Sequence, residues 1–282
     1  MLFSQPRQRA GARSGQGGAT VEGRENDGVG TALLVAELEE SDDATLELKH
    51  AGAALSNNEA LIVAAYLGQT ERVRSLLDKG ANSSARGIRG KPVLMYAAHV
   101  DNPAVVSLLI EKGADVNARD NSGQTALIAA TSRGSMQVPR QLIERGADVN
   151  TGSGDETALI NAAWRGNQEV VRLLIEKGAE VNGRDSLGET ALMKASFQGS
   201  TKVATLLVER GADVNARCHE EKTALMNAAG GGDLEIVRLL IDKGADANVQ
   251  AKYGGTALIM SQYAGKDRDE IVRALKEAGA KR

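Results

Sequence analysis

TALINAAWRGNQEVVRLLIEKGAEVN, residues 157–182, is the stretch whose reading decides the fold. Thr157 suits a helix N-cap, because its hydroxyl can accept from a backbone N–H that the first helical turn leaves without a partner. Leu159, Ala162, Ala163 and Gly166 then fall at i, i+3, i+4 and i+7, the spacing of one helix face. Small residues on that face let a neighbour approach closely. Asn167 caps a second helix, with Asn102, Ser135, Ser200 and Asp233 at the matching positions elsewhere. Val170, Val171, Leu173, Leu174 and Ile175 supply its apolar side, Glu176 and Lys177 stay in water, and Gly178 ends it as a left-handed cap.

This unit recurs. Equivalents of its first segment begin at residues 59, 92, 125, 157, 190, 223 and 256, in steps of 33 with a single step of 32. Relatives of its ending, GADVN, stand at 113–117, 146–150 and 211–215. A helix pair of this size cannot bury its apolar face alone, so each unit needs a neighbour on either side. The ends accordingly turn polar: Arg72 and Ser75 replace Val and Leu in the first full unit, and Ala274 and Lys276 replace Leu and Ile in the last. TALLVAELEE at 31–40 has the spacing of a further, degenerate unit, whose six acids between Glu37 and Glu47 suit an exposed end. Two prolines test the pattern. Pro103 stands just after its cap, where a missing N–H costs nothing. Pro139 stands where a helical bond would be lost, so that helix is expected to start late or be distorted.

The recurring T-x-L-x-x-A-A-x-x-G and E-V-V-x-L-L-I-x-x-G-A-D-V-N cores, together with the period, resemble the ankyrin repeat family. The resemblance implies an all-α, ankyrin-type helical-repeat solenoid: antiparallel helix pairs stacked in a curve, with hairpin-like turns projecting along one edge. The expected organisation is a Gly/Arg-rich disordered tail over 1–27, a degenerate acidic capping repeat over 28–56, and seven repeats over 57–282, the last a cap. The chain departs from the family's T-P-L-H in every unit, with Ile or Met in place of histidine: Ile62, Met95, Ile128, Ile160, Met193, Met226 and Ile259. A threonine–histidine hydrogen bond is thereby lost, so cohesion between units is expected to be more purely apolar. Cys218 replaces the family's turn aspartate, and that turn is expected to be looser.

The chain holds seven aromatic rings, too few to fill a large compact core. Four of them occur seven residues after the threonine position: Tyr66, Trp164, Phe197 and Tyr263, with His99, Ser132 and Gly230 in the other units. On an idealised helix this position lies roughly 150° from the buried stripe, and the family geometry places it on the concave face. Trp164 and Phe197 are expected to be neighbours, flanked by Arg133, Arg165 and Gln198 from the next position along. Exposed aromatic and arginine side chains are common in binding hot spots. Tyr66, His99, Arg133, Trp164, Arg165, Phe197, Gln198 and Tyr263 are therefore the candidate partner-binding residues, the alternative for the rings being packing against a neighbour's alanine and turn.

Other chemistry finds no support in the sequence. The net charge of −3 gives no pull toward nucleic acid or anionic membrane, and no apolar run has the length of a membrane helix. A single cysteine excludes an intramolecular disulfide, and the three histidines have no ligand spacing. Motifs for nucleotide binding or nucleophilic catalysis are absent. No cofactor or metal is expected. The function read from the sequence is a non-enzymatic module that binds a protein partner through its concave face. The alternatives are a regulatory subunit or inhibitor of a partner enzyme and, third, an enzyme with its active site in the groove. The expected state is a cytoplasmic monomer; the Arg- and Ser-bearing, acid-free first twenty residues also share features with an organellar transit peptide.

Overall fold

The computed structural model describes residues 55–153 and 156–281. The tail with its transit-peptide features, and all but the end of the degenerate acidic unit, lie outside these residues. Seven helix pairs follow in chain order: α1 (Asn57–Tyr66) with α2 (Thr70–Asp78), α3 (Val93–His99) with α4 (Pro103–Glu111), and α5 (Ala126–Thr131) with α6 (Gln137–Glu144). Then come α7 (Ala158–Trp164) with α8 (Gln168–Glu176), α9 (Ala191–Phe197) with α10 (Thr201–Glu209), α11 (Ala224–Gly231) with α12 (Leu234–Asp242), and α13 (Ala257–Met260) with α14 (Arg268–Glu277). Among the described residues there is no strand; isolated antiparallel bridges such as Arg119 with Thr125 and Arg184 with Thr190 close the turns between units.

The first helices lie side by side in one layer, each against its predecessor, and the second helices form a layer behind them. Between the layers runs one continuous apolar core of Leu, Ile, Val, Met and Ala. Leu159, Ala162 and Ala163 are buried on α7, as the i, i+3, i+4 spacing requires. Each threonine caps its helix: Thr157 Oγ1 accepts from Ile160 N at 3.2 Å, and Thr125, Thr190, Thr223 and Thr256 do the same for their helices.

Several local expectations are corrected. Of the five second-helix caps, Asn102, Asn167 and Asp233 accept from the third helical N–H, but Ser200 makes no side-chain cap bond. In the third unit, Ser135 accepts from Gln137 N and does not cap the helix directly, and the helix starts late, at Gln137, as the place of Pro139 leads one to expect. The late start places Pro139 at the third helical position, where the missing N–H has no intrahelical acceptor to lose. In the first unit the helix starts before Glu59, because Ser56 and Glu59 form a reciprocal capping box.

Cohesion between units is not purely apolar. Asn182 Nδ2 donates to the Gly211 carbonyl at 3.1 Å, and its Oδ1 accepts from Asp213 N at 2.8 Å, bridging two units. Asn117, Asn150, Asn215 and Asn248 repeat this two-bond bridge to the next unit. Each amide satisfies one backbone acceptor and one donor that a turn would otherwise leave to water. The turn at buried Cys218 keeps its backbone closure but has fewer contacts than its neighbour. Its backbone closure matches that at Asp185, with Cys218 N donating to Lys222 O at 3.0 Å and Asp185 N to Glu189 O at 3.0 Å. It lacks the two bonds that Asp185 Oδ1 accepts from Leu187 N and Glu189 N, the Asp185–Lys194 ion pair and a counterpart of the Arg184–Thr190 bridge, and Glu221, at φ 59°, takes the left-handed position that Gly188 holds in the preceding turn.

Candidate aromatic and basic surface on the first-helix layer

The last residue of α7 and the last residue of α9 carry the two rings that sequence spacing brings together. Trp164 and Phe197 stack with centroids 5.5 Å apart and planes 18° from parallel. Phe197 is 57% exposed and Trp164 half-buried, so the pair shows one face to water. The rings are thus both packed and accessible.

A lysine stands beside this stack. Lys194, three residues before Phe197 and so on the same helix face, places its Nζ 5.9 Å from the Trp164 ring centroid. Its ammonium is held by Asp185 at 3.0 Å and by Glu189, both from the turn that precedes α9. Burial works to lower the Lys194 pKa, but bonding to Glu189 and Asp185 together with their charges outweighs it and leaves the pKa raised. On the α7 side, Glu156 is half-buried. Burial raises its carboxyl, while a bond from Gln124, the charges of Arg165 and Lys194, and a bond from Asn161 oppose that rise.

Arg133 does not flank the stack. Its Nε donates to the His99 carbonyl at 2.8 Å, and its Nη2 lies 3.5 Å from His99 Nε2, one unit nearer the N-terminal end. His99 is half-buried, and its pKa is lowered by burial first, then by the charges of Lys91, Arg133 and Arg165. Lys91 is itself held below the ordinary lysine range by burial, with Asp120 opposing, and its Nζ sits 4.7 Å over the Tyr96 ring. Arg133 and Arg165 are exposed, and among the described residues neither makes an ion pair.

The remaining expected residues are scattered. Tyr66 is half-buried and meets Tyr96 edge-on at 6.4 Å. Gln198 is exposed beside Phe197. Tyr263 is 77% exposed, but the sixth unit puts Gly230 between it and Phe197, so no run of rings connects them. The sequence reading missed Lys194, Glu156 and Asn161. Lys194 and Asn161 share the position four after the threonine, where the other units carry Val63, Tyr96, Ala129, Asn227 and Met260. A lysine at a position otherwise filled mostly by apolar or amide side chains was the available signal. Among the described residues no group of His, Cys, Asp and Glu could hold a metal ion, and no helix is long and apolar enough to cross a membrane.

Comparison with known proteins agrees with this architecture. Ankyrin-repeat family models match residues 32–120, 61–153, 94–185 and 150–218, and a second such model matches 207–261. The human ASB11 ankyrin repeat domain is similar in structure, with a TM-score of 0.70 and 26% identity over 79% of this chain and 98% of that one. The ankyrin repeat domain of Bcl-3, described as a member of the IkappaB protein family, has a TM-score of 0.63 and 30% identity over 77% of this chain and 97% of that one. No curated protein sequence matches. The period, the capped helix pairs and the family match over well more than half of the sequence lead to one statement: the chain belongs to the ankyrin repeat family, whose domains are general protein–protein interaction modules.

Proposed function

We propose that this protein is a non-enzymatic recognition module that seats a partner protein on its first-helix layer, with the Trp164–Phe197 stack at the centre of the contact. The observation that carries this reading is the stack itself. A chain with seven rings keeps two of them face to face at the water boundary, with Phe197 57% exposed. Half-covered aromatic pairs on a rigid support supply large contact area at low ordering cost, as binding hot spots do. The carboxylates that hold Lys194 fix the cation beside the ring, so the surface is organised before a partner arrives.

The test is selection from a randomised peptide display library, with the full chain compared against its Trp164→Ala/Phe197→Ala variant and both checked by thermal melting. Enriched peptides that bind the full chain and lose the double variant, at melting temperatures within a few degrees, support the reading. A large fall in stability with peptide binding intact shows that the rings serve packing and overturns it.

A further inference from the structure

The first-helix layer and its turns are chemically unlike at their two ends. Toward the second to fourth units lie Lys91, His99, Arg133 and Arg165, of which the two arginines are exposed and without ion pairs among the described residues. The carboxylates near them are engaged or inward: Asp120 bonds its own turn, Glu156 is half-buried, and Asp101, two residues after His99, has one oxygen buried. Toward the fifth to seventh units the balance reverses. Lys194 is neutralised by two carboxylates, and the exposed large apolar side chains collect there: Leu187 at 60%, Phe197 at 57%, Tyr253 at 81%, Ile259 at 42% and Tyr263 at 77%. Leu67, at 44%, is the one member of that class outside these units among the described residues.

We infer that the partner is an extended segment carrying carboxylates at one end and aromatic or aliphatic side chains at the other, lying with its acidic end over Arg133 and Arg165 and its apolar end on Phe197 and the units beyond. This deepens the protein-binding reading above and rests on it. Charge complementarity selects the acidic end: two guanidiniums without ion pairs among the described residues, Arg133 with its Nε on the His99 carbonyl and its other donors turned to no carboxylate, offer planar donors to carboxylates. The spacing follows from the stack. Arg165 adjoins Trp164, so the outer guanidinium sets the span: the His99–Arg133 contact and the Trp164–Phe197 stack are two unit steps apart, roughly 16–20 Å at helix spacings of 8–10 Å. An extended chain covers that in about five or six residues at about 3.3 Å each.

The probes are fluorescein-labelled synthetic peptides with three glutamates and a Trp-Leu pair, separated by about two or about six small polar residues. Controls have Gln for Glu or Ala for Trp-Leu. Titrated into the full chain at low salt, the long-spaced acidic peptide is expected to bind at least about tenfold tighter than the Gln and short-spaced versions, the charge-dependent part weakening with added salt. Arg133→Gln/Arg165→Gln abolishes the preference for Glu over Gln while leaving the Trp-Leu contribution; Trp164→Ala/Phe197→Ala does the reverse. Both variants change surface residues, and melting curves verify that they are folded. No measurable binding of the long-spaced peptide, or a Glu preference that survives the arginine substitutions, overturns the inference. The display selection separates this failure from that of the parent reading: enriched peptides that need the rings but lack acids sink the polarity and leave the module standing, and a selection indifferent to the rings sinks both.

Discussion

His99 shows how a single residue reports the charge around it. Burial and the nearby Lys91, Arg133 and Arg165 all disfavour its imidazolium, so its pKa lies below the ordinary 6.5. Between that value and the folded one, the unfolded chain binds a proton that the native ring refuses. Stability therefore falls as pH drops through this window and is recovered above it. An NMR titration of the His99 ring is expected to give a midpoint below 6.5, and Arg133→Gln to move it upward; an unmoved midpoint counts against the arginine contribution. At this scale the sequence was readable only in part. The pairing of Trp164 with Phe197 followed from one recurring helical position. Lys194 did not, because Asp185 and Glu189 reach it from a turn whose path the helix pattern leaves undetermined. Arg133 was assigned to the wrong neighbour for a related reason: a long side chain on a helix end can reach either adjacent unit, and the His99 carbonyl drew it backward.

Elements were the most legible level, since apolar periodicity, threonine caps and terminal glycines agree along the chain. The exceptions have local causes. Helix α1 starts early because Ser56 and Glu59 cap each other, whereas α6 starts late, at Gln137, as Pro139 foretells, since that start leaves the proline no donor to provide. The asparagine that closes each GADVN or GAEVN ending carries no apolar or capping signal in the sequence, yet its amide bonds forward into the next unit. Replacing Asn182 by Ala removes one acceptor and one donor contact. At about 1 kcal/mol per bond the expected loss is about 1–3 kcal/mol, measurable by urea denaturation. Asn182→Asp keeps the acceptor and should cost less; equal losses for Ala and Asp would assign the effect to the turn conformation instead.

Across the whole molecule the stack is quasi-one-dimensional, each unit touching its neighbours and little else. A defect in the middle should then divide the array. Leu192 is 1% exposed in the core between the layers, and Leu192→Ala is expected to cost about 2–5 kcal/mol. Its urea transition should broaden or split as the units on either side melt separately. A single sharp transition, merely displaced, would show stronger long-range coupling than this architecture provides. The asparagine bridges carry a different consequence. Because the donor and acceptor at the five junctions from the second unit to the seventh are the same backbone atoms in the same register, an extra 33-residue copy spliced in between the third and fourth units would find both of its seams already matched. The protein can in this way grow longer by duplication without redesigning any joint, while every added copy moves the His99–Arg133 contact further from the Trp164–Phe197 stack.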